Sequence, residues 1–273
     1  MEPRTLAPPE RRVARVTSNE QVGAYRLITA LDGEGPLDPR PGQFYMLAAA
    51  ERWGGGGDER PYLPRAFSYA RARRGEHGVE LSFLLEAIGP GTERLGSLGE
   101  GEGLALVGPL GIGFRPPPAG RDRVLLVGGG IGVAPLLCLS DEVDTASVLL
   151  GFRSGAHAEA AALFPDPEVA TDDGSVGRHA LVTELLREEF EQGDSDAAVY
   201  ACGPPPMLEA VRLLCAAHNV PAQLALESGM ACGFGACFGC VVPTREGYLR
   251  LCVEGPVLDA DLLDSAVFPG AGH

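Results

Sequence analysis

Two textures of apolar patterning divide the chain near residue 118. Before it, short apolar segments are cut by Gly and Pro: Val13, Ala14 and Val16; Tyr25, Leu27 and Ile28; residues 42–47; and residues 79–85. Short strands at near-regular spacing, with turn residues between them, predict a small antiparallel barrel. The Gly-rich run at 53–58 predicts a flexible loop inserted in it. Residues 116–120 read as a linker, because three consecutive prolines continue neither a helix nor a central strand.

From Arg121 the texture changes. Residues 124–127 are a continuous apolar run, typical of a strand buried on both faces. The run meets Gly128, Gly129, Gly130, Ile131 and Gly132, and a helix is expected over 133–143. Further strands are predicted at 147–152, 168–171, 197–202 and 223–226, with helices over about 180–191 and over 206–218. Strands alternating with helices imply a parallel sheet joined by right-handed crossovers. After Glu227 the chain is rich in Gly and Cys and poor in helix. A chain of 273 residues with 45% apolar and 22% charged residues can bury more than one core. The expected divisions are 11–118, 119–226 and 227–273.

Charge narrows the partners. The net charge of −15, from 37 acidic and 22 basic residues, argues against a nucleic-acid or anionic-membrane surface. Every cation is Arg, which excludes a Schiff-base lysine and a P-loop lysine. The longest apolar run, 124–139, is broken by four Gly and one Pro and falls short of the roughly 20 residues of a spanning helix. The first residues hold no apolar stretch of the secretion-signal kind, so a reducing, cytoplasmic compartment is expected.

In such a compartment seven cysteines need an explanation. Cys232, Cys237, Cys240 and Cys252 form C-x4-C-x2-C-x11-C, whose opening matches the plant-type ferredoxin spacing for a 2Fe-2S cluster. A loop that wraps a cluster brings backbone N–H groups close to sulfur, and Gly229, Gly233, Gly235 and Gly239 interleave with these cysteines. The other reading is a zinc-bearing binding module. Zinc ribbons usually carry two short Cys-Cys knuckles, and here there is one. Cys138 and Cys215 fall in apolar helices and are expected in the core.

Three further segments suit cofactor chemistry. A Gly-rich turn between strand and helix can place a pyrophosphate on the helix start, though the strict G-x-G-x-x-G is absent because Val133 stands at its third Gly. Cys202-Gly203-Pro204 follows another buried strand, at the edge where parallel sheets bind ligands; Cys202 is either a ligand-facing or simply a buried residue. Arg65 and Ser68, with Gly91 and Thr92 downstream, provide a guanidinium, a hydroxyl and an amide pair suited to a flavin pyrophosphate. Asp172 and Asp173 could bond a ribose or cap a turn, the cap being favoured. His157, His179 and His218 show no metal spacing and read as surface or capping residues.

In order, the pieces are R-x-x-S (Arg65, Ser68), G-T (Gly91, Thr92), G-P-L-G-x-G-F (108–114), G-G-G-I-G-x-A-P (128–135), T-D-D-G-S-x-G (171–177), C-G-P-x-P-M (202–207) and C-x-E-G-P-V (252–257). The chain thereby resembles the ferredoxin-reductase-type flavoproteins, and among them the electron-transfer subunits of dihydroorotate dehydrogenase. The resemblance implies an N-terminal antiparallel FAD-binding β-barrel, a parallel-sheet NAD-binding α/β domain and a small C-terminal 2Fe-2S domain. It implies FAD contacts at Arg65, Ala66, Phe67, Ser68, Leu84, Leu85, Glu86, Gly91 and Thr92. It places nicotinamide nucleotide at Gly128, Gly129, Gly130 and Gly132, with Cys202 beside the ring, and cluster ligation at Cys232, Cys237, Cys240 and Cys252. Two positions depart from the family pattern: Ala66 replaces a Pro, and Glu86 stands where an Arg is common. The implied role is an electron relay to NAD+ from an FMN-containing catalytic subunit that oxidises dihydroorotate, in a heterotetramer of two of each chain. The alternative partner set is that of the small subunit of an NADH-dependent ferredoxin:NADP+ reductase or a sulfhydrogenase.

Overall fold

The computed structural model describes residues 10–36, 38–54, 63–143, 146–192 and 196–271. Most of the Gly-rich loop expected over 53–58 lies outside the described residues. The first sheet is built from β1 (Arg12–Val22), β2 (Tyr25–Asp32), β3 (Phe44–Ala49), β4 (Arg65–Ser68), β5 (Arg71–Gly75), β6 (Gly78–Leu85) and β7 (Gly103–Leu110). These strands pair antiparallel in the order β4-β3-β7-β1-β2-β6-β5 and curl into a half-barrel. A short helix, α1 (Pro90–Gly96), follows β6. Ala14, Val16, Ile28, Tyr45, Leu81 and Phe83 fill the interior. β5 (sequence RARRG) carries no apolar alternation; it is an edge strand, so the pattern that marks a buried strand is not required of it.

The start of β1 departs from its apolar pattern. Val13 is 62% exposed, while Arg12 on the opposite face is buried. Side chains alternate strictly along a strand, so one residue's commitment fixes its neighbours. Here the commitment is ionic. Arg12 donates from Nε and from one terminal nitrogen to Asp32 Oδ2 at 3.1 and 2.9 Å, and from the same terminal nitrogen to the Gly108 carbonyl at 2.7 Å. The pair ties β1 to the end of β2 and to β7.

The second sheet contains β8 (Arg123–Gly129), β9 (Ser147–Phe152), β10 (Glu168–Thr171), β11 (Arg178–His179), β12 (Ala197–Cys202) and β13 (Ala222–Ala225), all parallel. Its helices are α2 (Ala134–Ser140), α3 (Gly155–Ala158), α4 (Val182–Glu191) and α5 (Pro205–His218). α2 is shorter than the expected 133–143: a 3-10 turn, Gly130–Val133, takes its first position, and it ends at Ser140 with Asp141 as its C-cap. α5 opens on prolines, which suit a first turn, and stops at Asn219 in the left-handed region (φ 54°).

In the cysteine segment β14 (Val241–Thr244) and β15 (Gly247–Arg250) form a hairpin. The chain then returns: β16 (Val257–Asp259) pairs antiparallel with β13 and completes the order β11-β10-β9-β8-β12-β13-β16. Strand order reverses between β8 and β12, which makes that boundary the switch point where such sheets bind ligands. The two sheets are joined by contacts outside the proline stretch. Arg71 pairs with Asp141 at 2.8 Å, and Gln223 bonds the backbone of Arg115 through both amide atoms. Among the described residues no helix is long and apolar enough to cross a membrane.

The buried Arg12–Asp32 pair gives a direct test. Asp32→Ala leaves a buried guanidinium without its counter-charge and is expected to cost about 3–5 kcal/mol of unfolding free energy, read from urea titration. A loss below about 1 kcal/mol would mean that Arg12 reaches water in the variant.

Candidate functional site

At the switch point the turns after β8 and β12 touch. A Cβ on Gly132 would stand 2.6 Å from both the Cα and the N of Gly203. No side chain fits at Gly132, and at Gly203 a Cβ would meet Met207 Cε at 2.7 Å and the Gly129 amide nitrogen at 3.0 Å. Gly130 takes φ +55°, which turns the chain out of β8 toward α2. β8 itself runs through Gly129, so Gly128 and Gly129 are strand residues rather than turn residues. A cavity opens on either side of this contact.

The first, of about 470 Å³, lies between the two sheets. β4 contributes Arg65, Ala66, Phe67 and Ser68, and the end of β6 contributes Leu84 and Glu86. Thr92, Gly132, Pro135 and Cys202 complete those walls, with residues 225–230 opposite. Leu85 does not line it; its side chain is fully buried in the half-barrel interior. Gly91 lies under Arg65: a Cβ there would meet the guanidinium at 2.8 Å. Thr92 Oγ1 accepts from the Gly89 amide and donates to the Gly89 carbonyl, each at 3.1 Å, which shapes this loop. Arg65 also lies over the Trp53 ring, 6.0 Å from its centre. A guanidinium at one end and an apolar slot walled by Ile131, Pro135 and Met230 suit a flavin nucleotide, anionic at its phosphates and flat at its ring.

Cys202 is buried in this wall. Burial, and after it the nearby Glu227, push its thiol well above the ordinary range, so it is a neutral group at physiological pH. Burial likewise raises the carboxyl of Glu227. Sequence reading passed over Glu227. Its signal is positional: it follows the last parallel strand at the ligand-binding edge of the sheet.

The second cavity, of about 530 Å³, is lined by Tyr25, Glu86, Gly129, Gly130, Gly151, Arg153, His157, Asp172, Thr183 and Met207, among others. Gly128 lies beneath, packed on Leu150 and Val133. Glu86 therefore borders both cavities. Its side chain is not idle where the family's Arg is missing: Arg153 donates to Glu86 Oε1 at 2.6 Å and, through Nε, to His157 Nε2 at 2.8 Å. Because His157 Nε2 accepts that proton, its Nδ1 carries the hydrogen given to Ser154 Oγ at 2.9 Å. His157 is neither on the surface nor a cap: it lies within α3, is buried, bonds the Ser154 hydroxyl and lines the cavity. Its ring meets Tyr25 edge-on at 5.5 Å. Burial, then Glu86, raise the Tyr25 hydroxyl far above its ordinary value, so it stays protonated. Of the two aspartates, Asp173 caps the turn, accepting from the Ser175 amide at 3.0 Å, while Asp172 faces the cavity.

The four C-terminal cysteines form two pairs. Cys240 Sγ lies 3.1 Å from Cys252 Sγ, both buried, while Cys232 and Cys237 sit together on the outer loop. The Ala236 amide points at Cys232 Sγ at 3.3 Å and the Gly239 amide at Cys237 Sγ at 3.4 Å. Against the effect of burial, hydrogen bonds from the amides of Phe234, Cys237 and Ala236 and from the Cys237 thiol bring Cys232 down to about 6. Two thiol pairs with amides aimed at sulfur fit a two-iron cluster, one pair to each iron.

Comparison with known proteins agrees. Residues 227–264 match the iron-sulfur cluster binding domain of dihydroorotate dehydrogenase B. The chain is 35% identical to the dihydroorotate dehydrogenase B (NAD+) electron transfer subunit of Caldanaerobacter subterraneus subsp. tengcongensis, over 91% of this chain and 96% of that one. It is 35% identical to the subunit of the same name from Clostridium acetobutylicum, over 90% and 94%. Among solved structures, the NADH-dependent reduced ferredoxin-NADP oxidoreductase superposes with a TM-score of 0.76 at 23% identity, covering 93% of this chain and 90% of that one. The ferredoxin reductase of carbazole 1,9a-dioxygenase superposes at 0.62 and 21% identity, over 77% and 66%. The structural likenesses share the fold; the sequence relatives carry the lineage, and by them this chain belongs to the family of dihydroorotate dehydrogenase B (NAD+) electron transfer subunits.

Proposed function

We propose that this chain relays electrons to NAD+ from an FMN-containing dihydroorotate dehydrogenase subunit in pyrimidine biosynthesis. FAD occupies the first cavity, a 2Fe-2S cluster is held by Cys232, Cys237, Cys240 and Cys252, and the nicotinamide nucleotide enters by the second cavity. One observation carries the reading: the cysteine loop is itself a wall of the first cavity, through Gly229 and Met230, while Gly132 and Cys202 of the nucleotide sheet form another. The three sites therefore adjoin. When bound, the flavin exchanges electron pairs with nicotinamide and single electrons with the cluster.

The chain's own residues bind and orient. Arg65, held over Gly91, supplies the positive charge for a pyrophosphate; Phe67 and Ser68 border the slot beside it. Cys202, neutral and buried, gives a nicotinamide ring an uncharged surface near the flavin. Glu227, kept toward its protonated form by burial, can donate a hydrogen bond or a proton at the same wall. Gly233 seats the cluster loop on the half-barrel: a Cβ there would run into the Met46 side chain, 2.8 Å from its Sδ.

Dihydroorotate oxidation belongs to the partner. Phe234 and Phe238 are 57% and 63% exposed on the loop between the cysteines, and Arg250 lies 5.4 Å over the Phe238 ring. Apolar surface beside a one-electron carrier suits docking of the next carrier, since electron hops need close approach. The assembly proposed is two of each subunit. The location proposed is cytoplasmic; a cluster held by four reduced cysteines suits a reducing compartment.

Three results are expected. The isolated, FAD-loaded chain should oxidise NADH with an artificial acceptor and should not convert dihydroorotate until the FMN-bearing subunit is added; orotate formed by the chain in isolation would overturn the relay. Anaerobically purified protein should hold about two irons and two labile sulfides, and Cys237→Ser should lose iron while keeping FAD. One zinc in place of iron, in iron-replete cells, would refute the cluster. The third concerns Glu227, whose folded-state pKa lies above its ordinary 4.5. Above pH 4.5 the unfolded chain ionises this group first, so its burden on the fold is absent in acid and grows as pH rises through the folded value. Glu227→Gln should thus gain melting temperature over the wild type at pH 8 relative to pH 4.5, by differential scanning calorimetry; equal offsets at both pH values would show that Glu227 ionises freely in the folded protein.

A further inference from the structure

We propose that Arg250, clamped by Glu254, sets the reduction potential of the iron-sulfur cluster. The inference rests on the reading that Cys232, Cys237, Cys240 and Cys252 hold a two-iron cluster.

Residues 228–244, which contain three of those cysteines, carry no charged side chain. Charge reaches this loop from β15. Arg250 stands opposite Val241, the residue after Cys240, and two positions before Cys252. Its backbone thus lies next to both inner cysteines in the hairpin, while its side chain extends to the outer loop. Nη1 donates to the Gly235 carbonyl at 3.4 Å, between Cys232 and Cys237, and the guanidinium carbon stands 5.4 Å from the centre of the Phe238 ring. Phe238 sits in the left-handed region at φ 59°, uncommon for a residue with a bulky side chain, so a contact that holds its ring also holds the turn between Cys237 and Cys240. The other edge of the fork faces Glu254: Nη2 donates to Oε1 at 2.8 Å, Nε to Oε2 at 3.4 Å, and the Arg250 amide to Oε2 at 2.8 Å. The planar guanidinium is therefore fixed with a carboxylate on one edge and the cysteine loop on the other. Taking up an electron adds a negative charge to the cluster and its thiolates. A fixed cation on the loop stabilises that form more than the oxidised one and raises the potential, and the carboxylate behind it works in the opposite sense. Arg250 acts by its charge; Glu254 acts through Arg250 and is a positioning residue.

The test is an EPR-monitored redox titration of the FAD-loaded chain at low ionic strength, with iron counted in every variant. Arg250→Gln should lower the midpoint potential of the cluster, by about threefold to tenfold in its reduction constant, tenfold being about 59 mV for one electron. Glu254→Gln should raise it, because the cation then loses its counter-charge. A charge effect demands these opposite signs, whereas damage to the loop from breaking the ion pair would shift both variants the same way. Shifts of the same sign, or a potential unmoved in either variant, would overturn the proposal. Should one variant lose its iron, the other decides by its own sign, and loss of iron from both would make the pair a structural clasp and overturn the proposal too. A wild-type chain without iron would instead remove the cluster reading beneath it.

Discussion

The approach of Gly132 to Gly203 is the contact on which the site depends. A parallel sheet offers a ligand only the rim of its strands, and at the switch point two turns rise from that rim side by side. Here they meet backbone to backbone, with no room for even one carbon between them. Beside this contact Cys202 and Gly132 line the first cavity, Gly129 and Gly130 line the second, and Glu86 and Ile131 border both. Everything nearby follows from it: the Pro204 ring and Met207 crowd Gly129, and Gly130 must turn with positive φ to let α2 begin.

Guanidinium groups hold this arrangement. The chain has no lysine, and its inter-sheet contacts show what arginine adds. Arg71 reaches from β5 to Asp141 and to the Leu163 carbonyl together, and Arg153 engages Glu86 and His157 together. A planar fork can satisfy two acceptors in different directions at fixed angles, whereas an ammonium gives a point charge on a flexible stem. Arg115 similarly pairs with Asp259 of the returning strand. Exposed pairs of this kind add little stability each, so their contribution is to orientation.

Much of this was legible in the residues because it is local. The run at 124–127 and the strand at 147–152 carry their meaning within a few positions, and the observed strands fall on them; the cysteine spacing is read within one segment. Arg65 to Ser68 and Cys202 also reach one cavity, as their motifs imply. What was not legible depends on partners far away in the chain. Nothing near Arg12 announces Asp32, so Val13 looked like a core residue and faces solvent. Glu86 looked like a lost cation until Arg153, on the other sheet, supplied its counterpart. His157 has no metal spacing because it serves a hydrogen-bond chain, not a metal. β16 is three residues long, too short for a pattern, and is a strand because β13 offers an open edge.

That last strand changes what kind of object the cysteine segment is. Leu226 donates its amide to the Pro256 carbonyl at 2.9 Å, Ala225 faces Val257 across the ladder, and Ile112 of the half-barrel bridges to Pro256. Residues 227–255 are therefore a closed excursion whose two ends are stitched at one neck, not a bead on a string. A bead could swing, and the tunnelling gap to its neighbour would fluctuate with each swing. A loop pinned at both feet has its two ends held at the spacing of the sheet. Since tunnelling rates decay exponentially with distance, the rigidity of the neck sets the reliability of the wire.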